Sequence, residues 1–285
     1  MNVWVEAARP RTLVAAVTPV VVGTAAAERV IAWRAACALG VAVAIQVGVN
    51  YANDYYDGVR GVDTETRVGP RRAVAAGLVA PAAMKAAMLA ALALACALGA
   101  ALALAVEPWL LAVGAACVLA AVGYSGGPRP YASLGLGEPF VFLFFGVVAT
   151  AGSAYVQDEA LRAVPLVASI PIGLLATAIL MVNNLRDLAT DAVAGKRTLA
   201  VRLGPERARA AYRAAVVTAY AAAPVVALTA GSPWPLLAWL SAPLARRALA
   251  ATRAGEPRRL LPALVLSARL ELVYGILLAL GLVAA

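Results

Sequence analysis

Apolar stretches of about twenty residues recur along the whole chain, and this recurrence restricts the fold more than any single motif does. A helix rises about 1.5 Å per residue, so roughly 20 apolar residues cross the hydrocarbon of a bilayer. Nine such segments can be marked out, at about 11–27, 34–53, 82–105, 108–124, 138–157, 163–185, 207–230, 235–251 and 263–283. Inside hydrocarbon no water satisfies the backbone, so segments of this kind fold as helices. The expectation is an all-α polytopic membrane protein: one domain over 1–285, a bundle of nine transmembrane helices around a central cavity that opens near the cytoplasmic side. Of the 285 residues 63% are hydrophobic and only 14% charged, against about 25% charged in soluble domains. The first apolar segment opens a series of similar ones, so it reads as a retained helix and not as a cleaved signal peptide.

The placement of charge orients the bundle. With nine spans, the N-terminus and the loops after spans two, four, six and eight share one side. Of the 24 Lys and Arg residues, 21 fall on that side and only Arg29, Arg34 and Arg162 on the other. Cytoplasmic loops carry the excess of Lys and Arg. The N-terminus and the loops 54–81, 125–137 and 186–206 are therefore expected in the cytoplasm of a bacterial cell, and the C-terminus outside. Cys37, Cys96 and Cys117 lie in apolar runs with no CxxC spacing and read as packing residues. The chain has no histidine, so any metal here is a hard one bound by oxygen. No motif points to nucleic acid; membrane lipid is the expected surrounding, and a homo-oligomer is left open.

Two of the cytoplasmic loops run in parallel. "NDYYDGVRGVDTETRVGPRRAV" and "NNLRDLATDAVAGKRTLAV" each give Asn, Asp four residues later, a second Asp, then basic residues before an apolar helix start. This is an internal repeat with an offset of 130 residues between Asp57 and Asp187. Asn53 and Asp57 are spaced i, i+4, as are Asn183, Asp187 and Asp191, so each set shares a helix face at the end of a span. Acids grouped this way beside a bilayer repel unless a cation joins them. Mg2+ typically takes one or two carboxylates plus substrate phosphates. Arg67, Arg71, Arg72, Lys196 and Arg197 are placed to neutralise the remaining phosphate charge. A diphosphate held beside an apolar bundle implies a lipid diphosphate. The competing reading is solvated acids that pair with Arg60, Arg67, Arg71, Arg186 and Arg197, and it is preferred for Asp54, Glu65 and Glu206. Gly58 and Gly61 are expected to let the chain leave its helix so that Asp63 turns back.

"YSGGPRPYASLGLGE", residues 124 to 138, reads as a turn-rich loop carrying Tyr124, Arg129, Tyr131 and Glu138. Phe140, Phe142, Phe144 and Phe145 just beyond it either line an apolar tunnel or meet lipid and neighbouring helices, and the assignment to lipid contact or helix packing is preferred.

These residues resemble the UbiA superfamily of intramembrane aromatic prenyltransferases over essentially the whole chain. "RPRTL", the two Asp-rich stretches and "YSGGPRPYASLGLGE" are similar to the branch that prenylates 1,4-dihydroxy-2-naphthoate in menaquinone synthesis; the hydroxybenzoate branch closes its first motif two residues sooner. The resemblance implies Asn53, Asp57, Asp63, Asp187 and Asp191 as Mg2+ ligands, helped by Asn183. It implies a polyprenyl diphosphate whose allylic C–O bond ionises, and 1,4-dihydroxy-2-naphthoate as the ring that attacks at its carboxylate-bearing carbon, with CO2 and a proton lost. Tyr124 would orient the leaving group or the cation, and Arg129 would join the basic residues around the diphosphate. Other aromatic acceptors, 4-hydroxybenzoate or homogentisate, are the nearest alternative. A cation-coupled transporter is less well matched, because transporter sites lie near the midplane. A diphosphate-binding scaffold without turnover fits the same motifs.

Overall fold

The computed structural model describes residues 2–61, 72–253 and 256–285, without the side chains of Arg258 and Arg259. Asp63, Glu65, Arg67 and Arg71 lie outside the described residues. All regular structure among the described residues is helical. Among the described residues six helices are long and apolar enough to cross a membrane: Ala32–Val59 (α3), Pro81–Ala105 (α4), Gly137–Asp158, Ala163–Arg186 (α8), Leu199–Thr229 (α10) and Leu261–Val283 (α12). Val14–Ala25 (α2) and Leu110–Gly123 (α5) are apolar but shorter. The segment expected at 235–251 is a 3-10 stretch, Trp234–Ser241, that passes into α11, Ala242–Ala251. Six of the nine expected spans therefore meet the length requirement, and three are helical but short or broken. Smaller pieces among the described residues include α1 (Val3–Ala8), the 3-10 turns Pro10–Thr12, Tyr131–Leu134 and Pro257–Leu260, and α9 (Leu188–Val193).

Local sequence explains several boundaries. Asn2 caps α1, its side chain accepting from Trp4 N at 3.0 Å. Pro81 opens α4 at a position where its missing N–H costs nothing. Gly61, with φ of 65°, ends the helix that carries the first motif. Gly58 acts differently. It is still helical, and a Cβ there would lie 2.7 Å from Val74 Cγ1. Of the two glycines expected to release the chain, one does so, and the other lets the returning segment approach.

The span Gly137–Asp158 is irregular. After α6 (Gly137–Val141) it widens into a π-helix over Phe142–Val148 and then resumes as α7 (Ala149–Asp158). π-turns are rare and concentrate at functional sites.

Packing is uneven across the bundle. α8, α10 and α12 form a dense core around Ile172, Leu175, Val182, Tyr212, Val216, Leu270, Tyr274 and Leu278. Its buried phenols are partnered: Tyr212 with Ser267 Oγ at 2.8 Å, and Tyr274 donating to Ala219 O at 2.9 Å. Across the bundle α3 runs along α4, and α2 packs on α7 and α12, with small residues where backbones meet. At Gly23 an added Cβ would stand 2.1 Å from Thr150 O, so α2 and α7 touch backbone to backbone.

The end of the bundle remote from the Asp-rich motifs is clipped by charge. Asp158 accepts from Glu28 N (3.1 Å) and Arg29 N (3.3 Å), and Gln157 Oε1 from Ile31 N (2.7 Å). Arg34 pairs with Glu159 at 2.7 Å and Arg162 with Glu28 at 2.6 Å; Arg29 also reaches Glu159. The three basic residues that fall on this side of the charge count are thus all neutralised by acids, which sharpens the charge difference between the two ends. The hydrogen bond from Arg34 holds the Glu159 carboxyl below its ordinary value, with Arg29 adding to the effect.

Gly23→Ala should lower detergent-solubilised stability by about 1–3 kcal/mol, because a packed crossing must open. Gly114→Ala, where a Cβ meets open space, should change it little. Equal melting of Gly23→Ala and the native chain would refute the close crossing. Because the Glu159 carboxyl is lowered in the folded state, the stability it adds is present above its unfolded value and is lost as pH falls through the lowered one. Glu159→Gln should therefore flatten the acid limb of a melting-temperature-versus-pH curve, and an unchanged limb counts against the clasp.

Candidate functional site

Between α3, α4, α5 and α7 lies a cavity of about 810 Å³. Its body is apolar, walled by α3, α4, α5 and α7 and reaching Val20, Leu102, Leu110 and Val156 near the remote end. Its head is polar, bordered by Arg9, Arg11, Asn53, Tyr124, Asn183 and Arg186. Phe140, Phe144 and Phe145 line it, which corrects their assignment to lipid contact or packing; Phe142 alone turns away, to pack on Gly173. The reason is the π segment. Its wider turn cancels the drift of an i, i+4 row around an α-helix, so Phe140, Phe144, Val148, Gly152 and Val156 all keep facing inward. Cys96 and Cys117 also border the cavity.

The two repeated motifs end α3 and α8 at the head of this cavity. Asn53 and Asp57 are buried, as is Asp187; Asn183 is half-buried and lines the wall. Asp57 Oδ2 accepts from Lys196 Nζ at 2.8 Å and from Arg72 Nη2 at 3.4 Å. Lys196 belongs to the second motif's loop, 139 residues away, so this ion pair ties one half of the repeat to the other. Asp187 is gripped by its neighbour Arg186, with Nε to Oδ1 at 2.7 Å and Nη2 to Oδ2 at 2.6 Å; Nη2 also donates to Asn183 Oδ1 at 2.9 Å. Asp191 follows one turn on, its N–H donating to Asp187 O at 2.8 Å.

The loop 125–136 closes the head. Ser125 Oγ donates to Asn53 Oδ1, and Arg60 Nη1 donates to Ser125 O at 2.8 Å. Tyr131 lies edge-on to Tyr124 and stacked on Phe140 at 4.1 Å, its hydroxyl donating to Ala120 O; burial pushes its phenol above the usual value. Arg197 N donates to Ser133 O at 3.2 Å, which joins this loop to the second motif.

Several expected residues stand elsewhere than the sequence suggested. Arg129 is exposed and does not border the cavity, and Arg197 is likewise exposed and takes part through its backbone. Asp54 is not a solvated cap: it is 1% exposed and accepts from Ala73 N (3.0 Å) and Val74 N (2.8 Å), pinning the returning segment. Glu206 does behave as a surface acid, paired with Arg209 at 2.9 Å. Asp63, Arg67 and Arg71 fall outside the described residues.

Other contributors had weak sequence signals or none. The N-terminal stretch Glu6–Thr12 reaches the cavity, held there by Asn50, which donates to Ala8 O at 2.8 Å, and by Gln46, which donates to Thr12 Oγ1 at 3.1 Å. The isolated amides in span two were the available clue. Glu138 is buried and accepts from Asn184 Nδ2 at 3.0 Å. Asn184 lies 130 residues from Asp54, the repeat offset, so the equivalent position in each half anchors the neighbouring segment.

Among the described residues no three acidic, Cys or His side chains converge as a complete metal site. The donor chemistry nonetheless fits a hard divalent cation: Asn53, Asp57, Asn183 and Asp187 offer only oxygen, and each buried carboxylate already holds a cationic partner.

Comparison with known proteins agrees with this arrangement. The model of the UbiA prenyltransferase family matches residues 16–259. A 1,4-dihydroxy-2-naphthoate octaprenyltransferase of Mycobacterium tuberculosis is 45% identical, over 92% of this chain and 90% of that protein. Its Escherichia coli namesake is 35% identical, over 98% and 94%. In fold the chain is similar to a UbiA homolog from Archaeoglobus fulgidus bound to GPP and Mg2+, with TM-score 0.68, 19% identity and 99% of both chains covered. A UbiA homolog from Aeropyrum pernix K1 superposes with TM-score 0.71 at 18% identity, over 93% of this chain and 96% of the other. With its paired motifs at the head of an apolar cavity and a family match over most of its length, the chain belongs to the UbiA prenyltransferase family.

Proposed function

We propose that this protein transfers a polyprenyl group from polyprenyl diphosphate to 1,4-dihydroxy-2-naphthoate, releasing CO2 and pyrophosphate and giving demethylmenaquinol for menaquinone biosynthesis. The observation that supports the reading is the Lys196–Asp57 pair, which ties together the two acidic motifs whose Asn53 and Asn183 border one apolar cavity. The naphthoate relatives at 35–45% identity support the acceptor.

Asn53, Asp57, Asp187 and Asp191, with Asp63 and Asn183, would hold Mg2+. When bound, it supplies the Lewis acidity that stabilises a departing pyrophosphate. Lys196 and Arg72, the cations already at Asp57, would turn to the phosphate oxygens when those carboxylates are taken. The prenyl tail occupies the apolar body between α3, α4, α5 and α7. Phe140, Phe144, Tyr124 and Tyr131 keep water from the allylic cation, which water would quench to an alcohol. As the C–O bond breaks, its electron pair leaves with pyrophosphate. The ring carbon bearing the carboxylate forms the new C–C bond, and the pair from the departing CO2 restores aromaticity.

In this reading the three shorter helical segments also cross the bilayer, giving nine spans. The cavity head, the N-terminus and the basic loops face the cytoplasm of a bacterial cell, the side that carries 21 of the 24 Lys and Arg residues, and the C-terminus lies outside.

The reading is tested by incubating purified protein with the acid, a polyprenyl diphosphate and Mg2+, and following prenylated, decarboxylated product by mass spectrometry. Asp57→Ala and Asp187→Ala should each lower kcat/KM by at least ~100-fold, a loss on the scale of one strong electrostatic contact in a transition state. Chelation of Mg2+ should abolish turnover. Absence of product with the native chain, or product that survives both substitutions, refutes the assignment. Parallel reactions with 4-hydroxybenzoate and homogentisate should give little or none.

A further inference from the structure

Arg186 is a buried cation at the head of the cavity. It closes α8, its side chain is 1% exposed, and it borders the cavity beside Ile179, Leu180 and Leu264. Two of its nitrogens are spent on Asp187 and Asn183, while Nη1 is buried with no hydrogen-bond partner. A buried guanidinium with an idle donor in an apolar wall is costly unless something polar meets it. The oxygens that neutralise Arg186 are, in the function proposed above, the ones a divalent cation needs. When Asp187 and Asn183 are taken, the guanidinium loses its counter-charge and the cavity wall acquires an unpaired cation that demands an anion.

We infer that Arg186 is a specificity residue that pairs with the carboxylate of the aromatic acceptor, becoming available when Asp187 is engaged at the diphosphate site. The reaction brings two anions to the head, and the surroundings separate them. The diphosphate has its own cations, Lys196 and Arg72, on the Asp57 side. Arg186 stands on the other motif, at the polar head of the cavity that Tyr124 also lines, where its planar fork matches a planar carboxylate. The arrangement also orders binding: the acid finds its partner only after the first anion and its cation have loaded. The carboxylate keeps its charge until the new C–C bond has formed, so the pairing acts on acceptor binding and little on C–O ionisation.

This inference rests on the proposed reaction, and its test separates the two. In the native enzyme, KM is measured for the acid and for the polyprenyl diphosphate, with 1,4-dihydroxynaphthalene, which lacks the carboxylate, as the competing acceptor. Arg186→Met should raise KM for the acid at least tenfold, leave KM for the diphosphate within twofold, and remove most of the preference for the acid over dihydroxynaphthalene. Arg186→Lys should restore part of that preference, and it keeps the test open if the Met variant does not fold. Equilibrium binding of 1,4-dihydroxy-2-naphthoate without the prenyl donor gives a second readout. Mg2+ plus inorganic pyrophosphate should tighten it in the native protein and not in Arg186→Met. A native enzyme that gives no product sinks the reaction itself. A native enzyme that turns over while the variants lose diphosphate affinity instead, or lose both acceptors equally, overturns only the role of Arg186.

Discussion

Two carboxylates, Asp57 and Asp187, are buried at one end of an apolar bundle, and each is tolerated there because a cation of the same chain rests on it. Burying a lone charge is prohibitive, and burying a pair is acceptable only when geometry and hydrogen bonding are good. That requirement organises the head of the molecule. Lys196 must arrive from the loop after α8 to neutralise an acid at the end of α3, and Arg72 must return from the loop after α3. The two halves of the repeat are thus joined by an ion pair. The same pairs leave the site reversible, since a divalent cation that takes these oxygens would free the guanidinium and the ammonium to meet an anion.

The opposite constraint shapes the body. α8, α10 and α12 pack into the main apolar core, while α3, α4 and α5 meet around Ala52, Met88, Leu92 and Ala121 and, with α7, leave the cavity between them. A cavity lined by apolar groups stays dry, which suits chemistry through a carbocation. The π segment at Phe142–Val148 keeps an aromatic and aliphatic row facing inward over the length of its span. At the remote end, the acid–base clasp joins the start of α3 to the end of α7, so the walls of the cavity are tied at both ends.

Equivalent residues of the repeat diverged in use. Asp54 and Asn184 occupy the same place in each half, and each fastens a neighbouring segment, one by accepting backbone N–H groups and the other by donating to Glu138. What the sequence showed as an extra acid is a structural anchor, because an unpaired backbone N–H at that depth would cost more than a paired carboxylate.

The sequence by itself determined the apolar segments, the one-sided distribution of positive charge and the two i, i+4 sets of Asn and Asp, because hydropathy, charge bias and helical spacing are local properties that the linear order carries directly. It was enough to place Asn53, Asp57, Asn183 and Asp187 at helix ends and to mark Lys196 as a candidate for phosphate charge. Only the tertiary structure decided that Asp57 is held by a lysine 139 residues away, that Phe140, Phe144 and Phe145 face a cavity, that Arg129 stands clear of it and that Arg186 is buried with a free nitrogen. Each of these depends on which helices become neighbours and on how one irregular turn sets the phase of the next. Those are contacts between distant parts of the chain, and no local pattern of residues encodes them.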